Sequence, residues 1–139
     1  MKKLNLIVEE QPVAQKRHRH HKFGVYDPSS KDKIRIKSML LNQVRKFYTD
    51  KPVSVIIAFK IQRPKSHFRT GKYSHLLKKK VPLFPTSKST KDLDNLVKIY
   101  LDILTLLKVW DDDSQVINLS ASKQYVNDNP ATEITIYKI

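Results

Sequence analysis

The chain has 139 residues, with 27 Lys and Arg against 13 Asp and Glu, a net charge of +14 and no cysteine. The length indicates a single domain, 1–139, and an apolar content of 40 % excludes global disorder. The absence of cysteine excludes disulfides and thiolate metal sites, and no apolar run approaches the roughly 20 residues of a membrane helix.

The first half of the chain is predicted to form strand, basic loop, helix and strand. Residues 4–8 alternate as a short strand, and residues 9–30 have the Pro, Gly and Ser content of a loop. Ser29 and Ser30 are typical of a helix start, and apolar positions at helical spacing extend that helix to about residue 48. After Pro52, residues 53–61 are β-branched and apolar, which indicates a buried strand.

The second half is predicted to form a long loop, an amphipathic helix and two strands. Residues 63–90 are rich in Pro, Ser, Thr and Lys, whereas residues 91–107 carry leucines at helical spacing. Residues 116–125 and 132–139 alternate as strands around a turn at 127–130, which suits an antiparallel hairpin. The order β-α-β-α-β-β predicts an α/β fold of mixed α+β type, with a mixed sheet packed by two main helices.

Residues 1–91 hold 23 of the 27 Lys and Arg residues, and the two basic loops, at about 9–30 and 63–90, lie within this range. A strongly cationic chain indicates nucleic acid first, because neutralising phosphates releases counterions. Phe68, Tyr73 and Phe84 lie among the cations of the second loop, where they either stack on exposed bases or pin the loop to the body. The residues predicted to contact DNA phosphates are Lys16, Arg17, Arg19, Lys22, Lys65, Arg69, Lys72 and Lys91.

Negative charge is concentrated at the two ends of the second helix. Asp92 and Asp94 begin it, and three consecutive acids, Asp111 to Asp113, follow it. If the chain brings the two groups together, the carboxylates form an oxygen-only site suited to Mg²⁺ or Mn²⁺. Lys98, one helical turn after Asp94, is suited to stabilise negative charge on a phosphate.

A purely structural interpretation of these acids is also open. Asp92 then caps the helix, Asp94, Lys98 and Asp102 form a solvated strip of ion pairs, and residues 111–113 are a surface turn.

These acidic motifs resemble the signature of RusA-type Holliday-junction resolvases. The resemblance rests on DLDN at 92–95, Lys98, Asp102 and the segment WDDDSQV at 110–116. Lys123 falls where the family often has a lysine, and PVAQKR at 12–17 and VYDP at 25–28 are similar to the opening of phage and prophage members. The element order agrees with the family across nearly the whole chain.

The resemblance implies a small RusA-like fold and a homodimeric, Mg²⁺-dependent endonuclease that resolves four-way DNA junctions, with Mn²⁺ as a substitute ion. It implies Asp92, Asp94 and Asp113 as metal-binding catalytic carboxylates and Lys98 as their phosphate-side partner. Counting from Asp102 places the catalytic acid of the second motif at Asp113 rather than at its neighbours. Supporting roles are expected for Asn95, Asp102, Asp112 and Lys123.

One residue departs from the family pattern. Lys108 stands where many members carry glycine, the residue favoured just after a helix.

We therefore expect a cytoplasmic endonuclease of a bacterial or phage-infected cell that acts in DNA recombination and repair. Its expected partners are branched DNA and a second copy of itself, with no membrane and no organic cofactor. Two alternatives stay open: a non-catalytic DNA- or RNA-binding protein with this fold, and a structural ribosome- or nucleoid-associated protein.

Overall fold

The computed structural model describes residues 2–17, 19–21 and 24–139, and for 19–21 the backbone only. Two α-helices and six strands form the described part of the chain. In chain order they are β1 (Lys3–Val8), β2 (Arg19–His21), β3 (Gly24–Tyr26), α1 (Ser30–Val44), β4 (Val53–Gln62), α2 (Leu93–Leu106), β5 (Val116–Val126) and β6 (Ala131–Lys138). The predicted α/β architecture is confirmed, with a short β2–β3 hairpin added inside the first basic loop.

The four long strands form one mixed sheet in the order β1-β6-β4-β5. β4 pairs in parallel with β5 and antiparallel with β6, and β6 pairs antiparallel with β1. The hairpin predicted for the last two strands is therefore wrong, because β4 lies between β5 and β6. A crossover through α2 makes β5 the parallel neighbour of β4, so β6 takes the other edge of the apolar central strand.

Both helices cover one face of this sheet, and alternation along the strands decides which residues they bury. On β4, Val53, Val55 and Ile57 point into this core and are fully buried, whereas Ile56 on the opposite face is 44 % exposed. Trp110, which follows α2, is also fully buried, and its indole N–H donates to the Thr105 hydroxyl at 2.8 Å. The core is thus a two-layer sandwich of helices and sheet with one solvent-exposed sheet face.

Helix α1 ends at Val44, four residues earlier than predicted. Arg45 there adopts φ 55° and ψ −126°, which breaks the helix, and the chain turns toward β4. At the other end Ser29 does not cap the helix through its side chain. Its hydroxyl instead accepts a hydrogen bond from the backbone N–H of Lys16 at 2.8 Å, which ties the first basic loop to α1.

The second basic loop is folded back on β5 through Arg63. This side chain is 7 % exposed, donates to the Pro82 carbonyl at 2.7 Å and stacks on the Tyr125 ring at 4.4 Å. Three short 3₁₀ turns occupy the rest of the loop, at Lys65–His67, Gly71–Tyr73 and Lys88–Thr90. Within the described ranges, no helix is both long enough and apolar enough to cross a bilayer.

Candidate active site

An open cavity of about 620 Å³ lies between α2 and β5. Three of the side chains that line it are charged: Asp94 and Lys98 from α2, and Asp113 from the turn that leads into β5. The remaining lining is apolar and comprises Leu93, Val97, Leu101, Leu119 and Ala121. The cavity thus joins the two acidic motifs that the sequence keeps well apart.

Helical spacing explains how α2 presents this surface. Leu93, Val97 and Leu101 recur every four residues, and Asp94 and Lys98 form the adjacent strip. The two charged side chains are exposed, and neither makes an ion pair within the part of the chain that the structure describes. They are therefore available to a ligand in the cavity.

Contacts distinguish the three consecutive aspartates that follow α2. Asp111 accepts hydrogen bonds from the Tyr48 hydroxyl at 2.9 Å. Asp112 caps the 3₁₀ turn Asp113–Gln115, and hydrogen bonds from the Ser114 side chain and backbone N–H lower the pKa of its carboxyl. Among these three, Asp113 alone lines the cavity.

Gln115 anchors this acidic turn to the body of the protein. Its side-chain oxygen accepts from the backbone N–H groups of Asp111 and Asp112, at 2.8 and 3.1 Å. Its amide nitrogen donates to the carbonyls of Thr49 and Lys51, each at 3.0 Å. Sequence reasoning did not single out Gln115, and a glutamine three residues after a potential capping aspartate was the available signal.

Asp92 lies immediately before α2 in extended conformation, whereas Asp94 lies in the first helical turn. The backbone carbonyl of Asp92 accepts a hydrogen bond from the Leu96 N–H at 3.1 Å. The Asp92 side chain, however, neither caps the helix nor lines the cavity. Across the described residues, no three acidic or imidazole side chains are grouped closely enough to hold a metal ion. The structure thus brings together two of the three carboxylates predicted as metal ligands.

Lys123 acts on the chain that leads into α2. Its ammonium group donates to the Lys91 carbonyl at 2.7 Å and contacts the Thr90 hydroxyl at 3.4 Å. Lys91 adopts a positive φ of 69°, so Lys123 holds an unusual backbone conformation directly before Asp92. We infer a positioning role for Lys123, since it orients the segment that carries the first acid.

Asp102 and Asn95 face the N-terminal half of the chain. Asp102 pairs with Lys33 of α1 at 3.3 Å, and Lys33 also pairs with Asp27 at 2.6 Å. Asn95 accepts a hydrogen bond from the backbone N–H of Gln15 through its own carbonyl, at 2.9 Å. The strip of ion pairs considered for Asp94, Lys98 and Asp102 is not formed, because Asp102 points toward α1.

The side chains of Arg19 and Lys22, both predicted to contact DNA, lie outside the described residues. The other predicted phosphate contacts are exposed, and these are Lys16, Arg17, Lys65, Arg69, Lys72 and Lys91. In the second loop, Tyr73 is 49 % and Phe84 is 65 % exposed, so both rings are open to a partner. The contact between Arg63 and the Tyr125 ring of β5 holds this loop to the body of the protein.

The family model for the endodeoxyribonuclease RusA matches residues 9–137 of this chain, a range that includes every residue of the cavity. The chain belongs to the RusA family. Membership makes it an endonuclease of the kind that acts on Holliday junctions. No curated protein sequence matches the chain significantly.

The RusA resemblance concerned charged residues, whereas the apolar half of the cavity follows from strand register. Leu119 and Ala121 of β5 stand beside Val55 and Ile57 of β4, and therefore project from the helix-covered face of the sheet. The alternating sequence of β5 predicts that Leu119 and Ala121 share one face of the strand. Which face that is depends on the pairing of β5 with β4, which only the fold shows.

Proposed function

We propose that this protein is a Mg²⁺-dependent endonuclease that resolves four-way DNA junctions by paired phosphodiester hydrolysis in recombination and repair. One observation carries the proposal: Asp94, Asp113 and Lys98 line a single open cavity in a RusA-family chain of net charge +14. Helix α2 supplies Asp94 and Lys98, and the turn before β5 supplies Asp113.

The donor set fits a hard divalent cation. The carboxylates of Asp94 and Asp113 are exposed, and among the residues whose side chains are described no imidazole or thiolate lines the cavity with them. Asp94 and Asp113 would hold the ion, with Asp92 as the third ligand from the adjacent segment. When bound, Mg²⁺ or Mn²⁺ lowers the pKa of coordinated water and polarises the phosphoryl oxygen.

The roles of the chain's own side chains follow from their charges. The Lys98 ammonium lies on the same helix face as Asp94, where it attracts a DNA phosphate and stabilises negative charge that develops on it. The exposed cations of the two loops would bind the flanking backbone.

We further propose that the working form is a homodimer. One chain carries one copy of the cavity lined by Asp94 and Asp113, whereas resolution of a four-way junction requires two opposed cuts, and a two-fold dimer supplies two centres. Support comes from β5, a terminal strand of the sheet, on which Ile117 is 63 % and Leu119 43 % exposed. An exposed edge strand that carries apolar side chains is a surface with which a second chain can pair.

The test is cleavage of a synthetic four-way junction in Mg²⁺ by Asp94→Asn and Asp113→Asn. We expect each substitution to reduce cutting by about 100-fold or more while junction binding persists, because charge is lost at the metal and not at the basic loops. Asp111→Asn is the matched control, since Asp111 contacts Tyr48 outside the cavity. Wild-type rates in the Asp113→Asn variant would refute the assignment.

A further outcome separates the two classes of function. If the intact protein binds four-way DNA but cuts no branched substrate in Mg²⁺ or Mn²⁺, it is a non-catalytic binding protein with this fold.

A further inference from the structure

A second cavity, of about 530 Å³, lies beyond the end of α1 and is lined by Arg45, Lys46, Phe47 and Lys138. Three of these four residues are cations, and the fourth supplies an aromatic ring. Phe47 is 4 % exposed, and the Lys138 ammonium lies 4.7 Å from its ring centroid. The ring therefore holds one of the cations at the cavity wall without neutralising it.

The positive charge of this cavity has no acidic partner among the residues that the structure describes. Elsewhere in the described residues several cations do pair with acids: Lys33 with Asp27, Arg35 with Glu10, and Lys60 with Glu133. No carboxylate lines the cavity at Arg45, and its cations form no ion pair in the described ranges. The site is thus suited to an anionic ligand.

Compensation of the α1 dipole explains only part of this arrangement. Arg45 and Lys46 directly follow the helix, where cations interact favourably with its C-terminal carbonyls. Lys138 comes from the end of β6, on a different element, and converges on the same cavity. Convergence from two elements indicates a surface that binds a ligand rather than a helix end alone.

The cavity lies at the same end of the sheet as Asp113. Lys138 pairs with Val53 of β4, and Val53 pairs with Val116 of β5, which begins directly after the turn that carries Asp113. Two strand spacings separate Lys138 from Val116, roughly 10 Å. One DNA strand carries a phosphate about every 3.4 Å of helix axis, so the backbone at Lys138 lies roughly three phosphate spacings from the backbone at Val116, where the acidic turn joins β5.

Direct hydrogen bonds connect the two regions. The segment that carries Arg45 and Lys46 continues to Tyr48, whose hydroxyl donates to Asp111, and to Thr49, whose carbonyl accepts from Gln115. The basic cavity and the acidic turn are therefore held in a defined relative position.

We propose that the cavity formed by Arg45, Lys46 and Lys138 binds the phosphodiester backbone of the DNA strand that enters the acidic cavity, a few nucleotides from the cut. This inference rests on the proposed function and adds a phosphate-binding site outside the two basic loops. It assigns the cavity to the sugar–phosphate backbone, so its contribution to affinity is independent of base sequence.

The test is the salt dependence of binding to a four-way junction and to a short linear duplex, without divalent ions. For Lys46→Gln with Lys138→Gln, we expect the slope of log K against log salt to fall by about 0.9 per lost phosphate contact, on both DNAs. Lys31→Gln with Lys37→Gln is the matched control, because it removes the same charge from exposed positions of α1 outside this cavity. The control is expected to keep the wild-type slope.

Lys46→Gln alone gives a second measurement. Lys46 is exposed, so this variant is expected to fold normally and to lose about one contact. Equal slopes of log K against log salt for the cavity double variant and the control double variant would overturn the inference. The effect of the cavity lysines on binding would then be that of net charge alone. If the wild-type protein cuts junctions and the cavity variants bind like wild type, the inference alone fails. If the wild-type protein binds no DNA, the proposed function fails with it.

Discussion

Lys108 ends α2 in the left-handed backbone conformation that glycine usually adopts there. It adopts a left-handed φ of 59° just after α2. The backbone N–H of Lys108 donates to the Thr105 carbonyl at 3.1 Å, and the N–H of Val109 donates to the Leu104 carbonyl at 3.2 Å. These two bonds define the Schellman motif that glycine usually terminates. The helix therefore ends as it would with glycine, but the side chain of Lys108 strains the backbone.

Lys108→Gly is expected to stabilise the protein by about 0.5–1 kcal/mol. Relief of the left-handed strain, about 1–2 kcal/mol, exceeds the entropy that glycine adds to the unfolded chain. Urea unfolding measures the change in the free energy of unfolding. Lys108→Ala is the control, because alanine keeps the Cβ atom that causes the strain. A glycine variant no more stable than the alanine variant would contradict this explanation.

At the scale of elements, Asp27 and Lys33 connect the first basic loop to both helices. Asp27 precedes α1 and pairs with Lys33 of α1, and Lys33 in turn pairs with Asp102 of α2. Burial raises the pKa of the Asp27 carboxyl, but hydrogen bonds from Lys33, Ser29 and Gln15 outweigh it and lower the pKa to about 2. The ionised form of Asp27 thus stabilises the junction of loop and helices.

The pH dependence of stability follows from the sign of this shift. The pKa of Asp27 falls from 3.8 to about 2 on folding, so its contribution is complete above about pH 4 and is lost as the pH falls to about 2. Asp27→Asn is expected to cost about 1–2 kcal/mol at pH 7, a value reduced for screening because the side chain is 21 % exposed. The substitution is also expected to reduce the loss in the free energy of unfolding as the pH falls from about 4 to about 2.

Urea unfolding of Asp27→Asn from pH 7 to pH 2 measures both effects. Asp50→Asn is the control, because Asp50 is exposed and forms no ion pair in the described part of the chain. If the free energy of unfolding falls as steeply below pH 4 in Asp27→Asn as in the wild type, then other carboxylates cause the pH dependence.

At the scale of the whole molecule, the open side of β5 is the surface that the proposed dimer uses. It is one of the two edge strands of the sheet, and none of its residues from Val116 to Ser122 is charged. In a chain of net charge +14, an uncharged stretch of edge strand lets two identical copies approach with less repulsion than a cationic surface does. The proposed dimer therefore places its interface beside the acidic cavity that Leu119 lines.

Ile117→Lys is expected to weaken dimerisation by about 10- to 100-fold, since a fully buried isoleucine contributes about 1.5–3 kcal/mol. Sedimentation equilibrium measures the dissociation constant, and single nicks are expected to replace paired cuts in a four-way junction. Leu41→Lys is the control, because Leu41 of α1 is comparably exposed, at 60 %. A wild-type protein that is monomeric while making paired cuts would disprove the dimer proposal.

The local pattern of the sequence determined the elements and the chemistry they carry. Helical spacing in residues 93–107 and alternation in β4 are short-range properties, so they predict which faces are buried before any tertiary contact is known. The order of Asp92, Asp94, Lys98 and the acids after α2 resembles the RusA signature and so predicted the family, and the carboxylates made a hard-metal site one of two possible interpretations.

Only the tertiary structure decided which of these parts meet. It placed β4 between β5 and β6, where alternation alone favoured a hairpin. It directed Asp113 into the cavity, turned Asp111 to Tyr48 and Asp102 to Lys33, and left Asp92 outside the cavity lining. The physical reason is that periodicity specifies a face, whereas the neighbour of that face depends on crossovers and on burial far away in sequence.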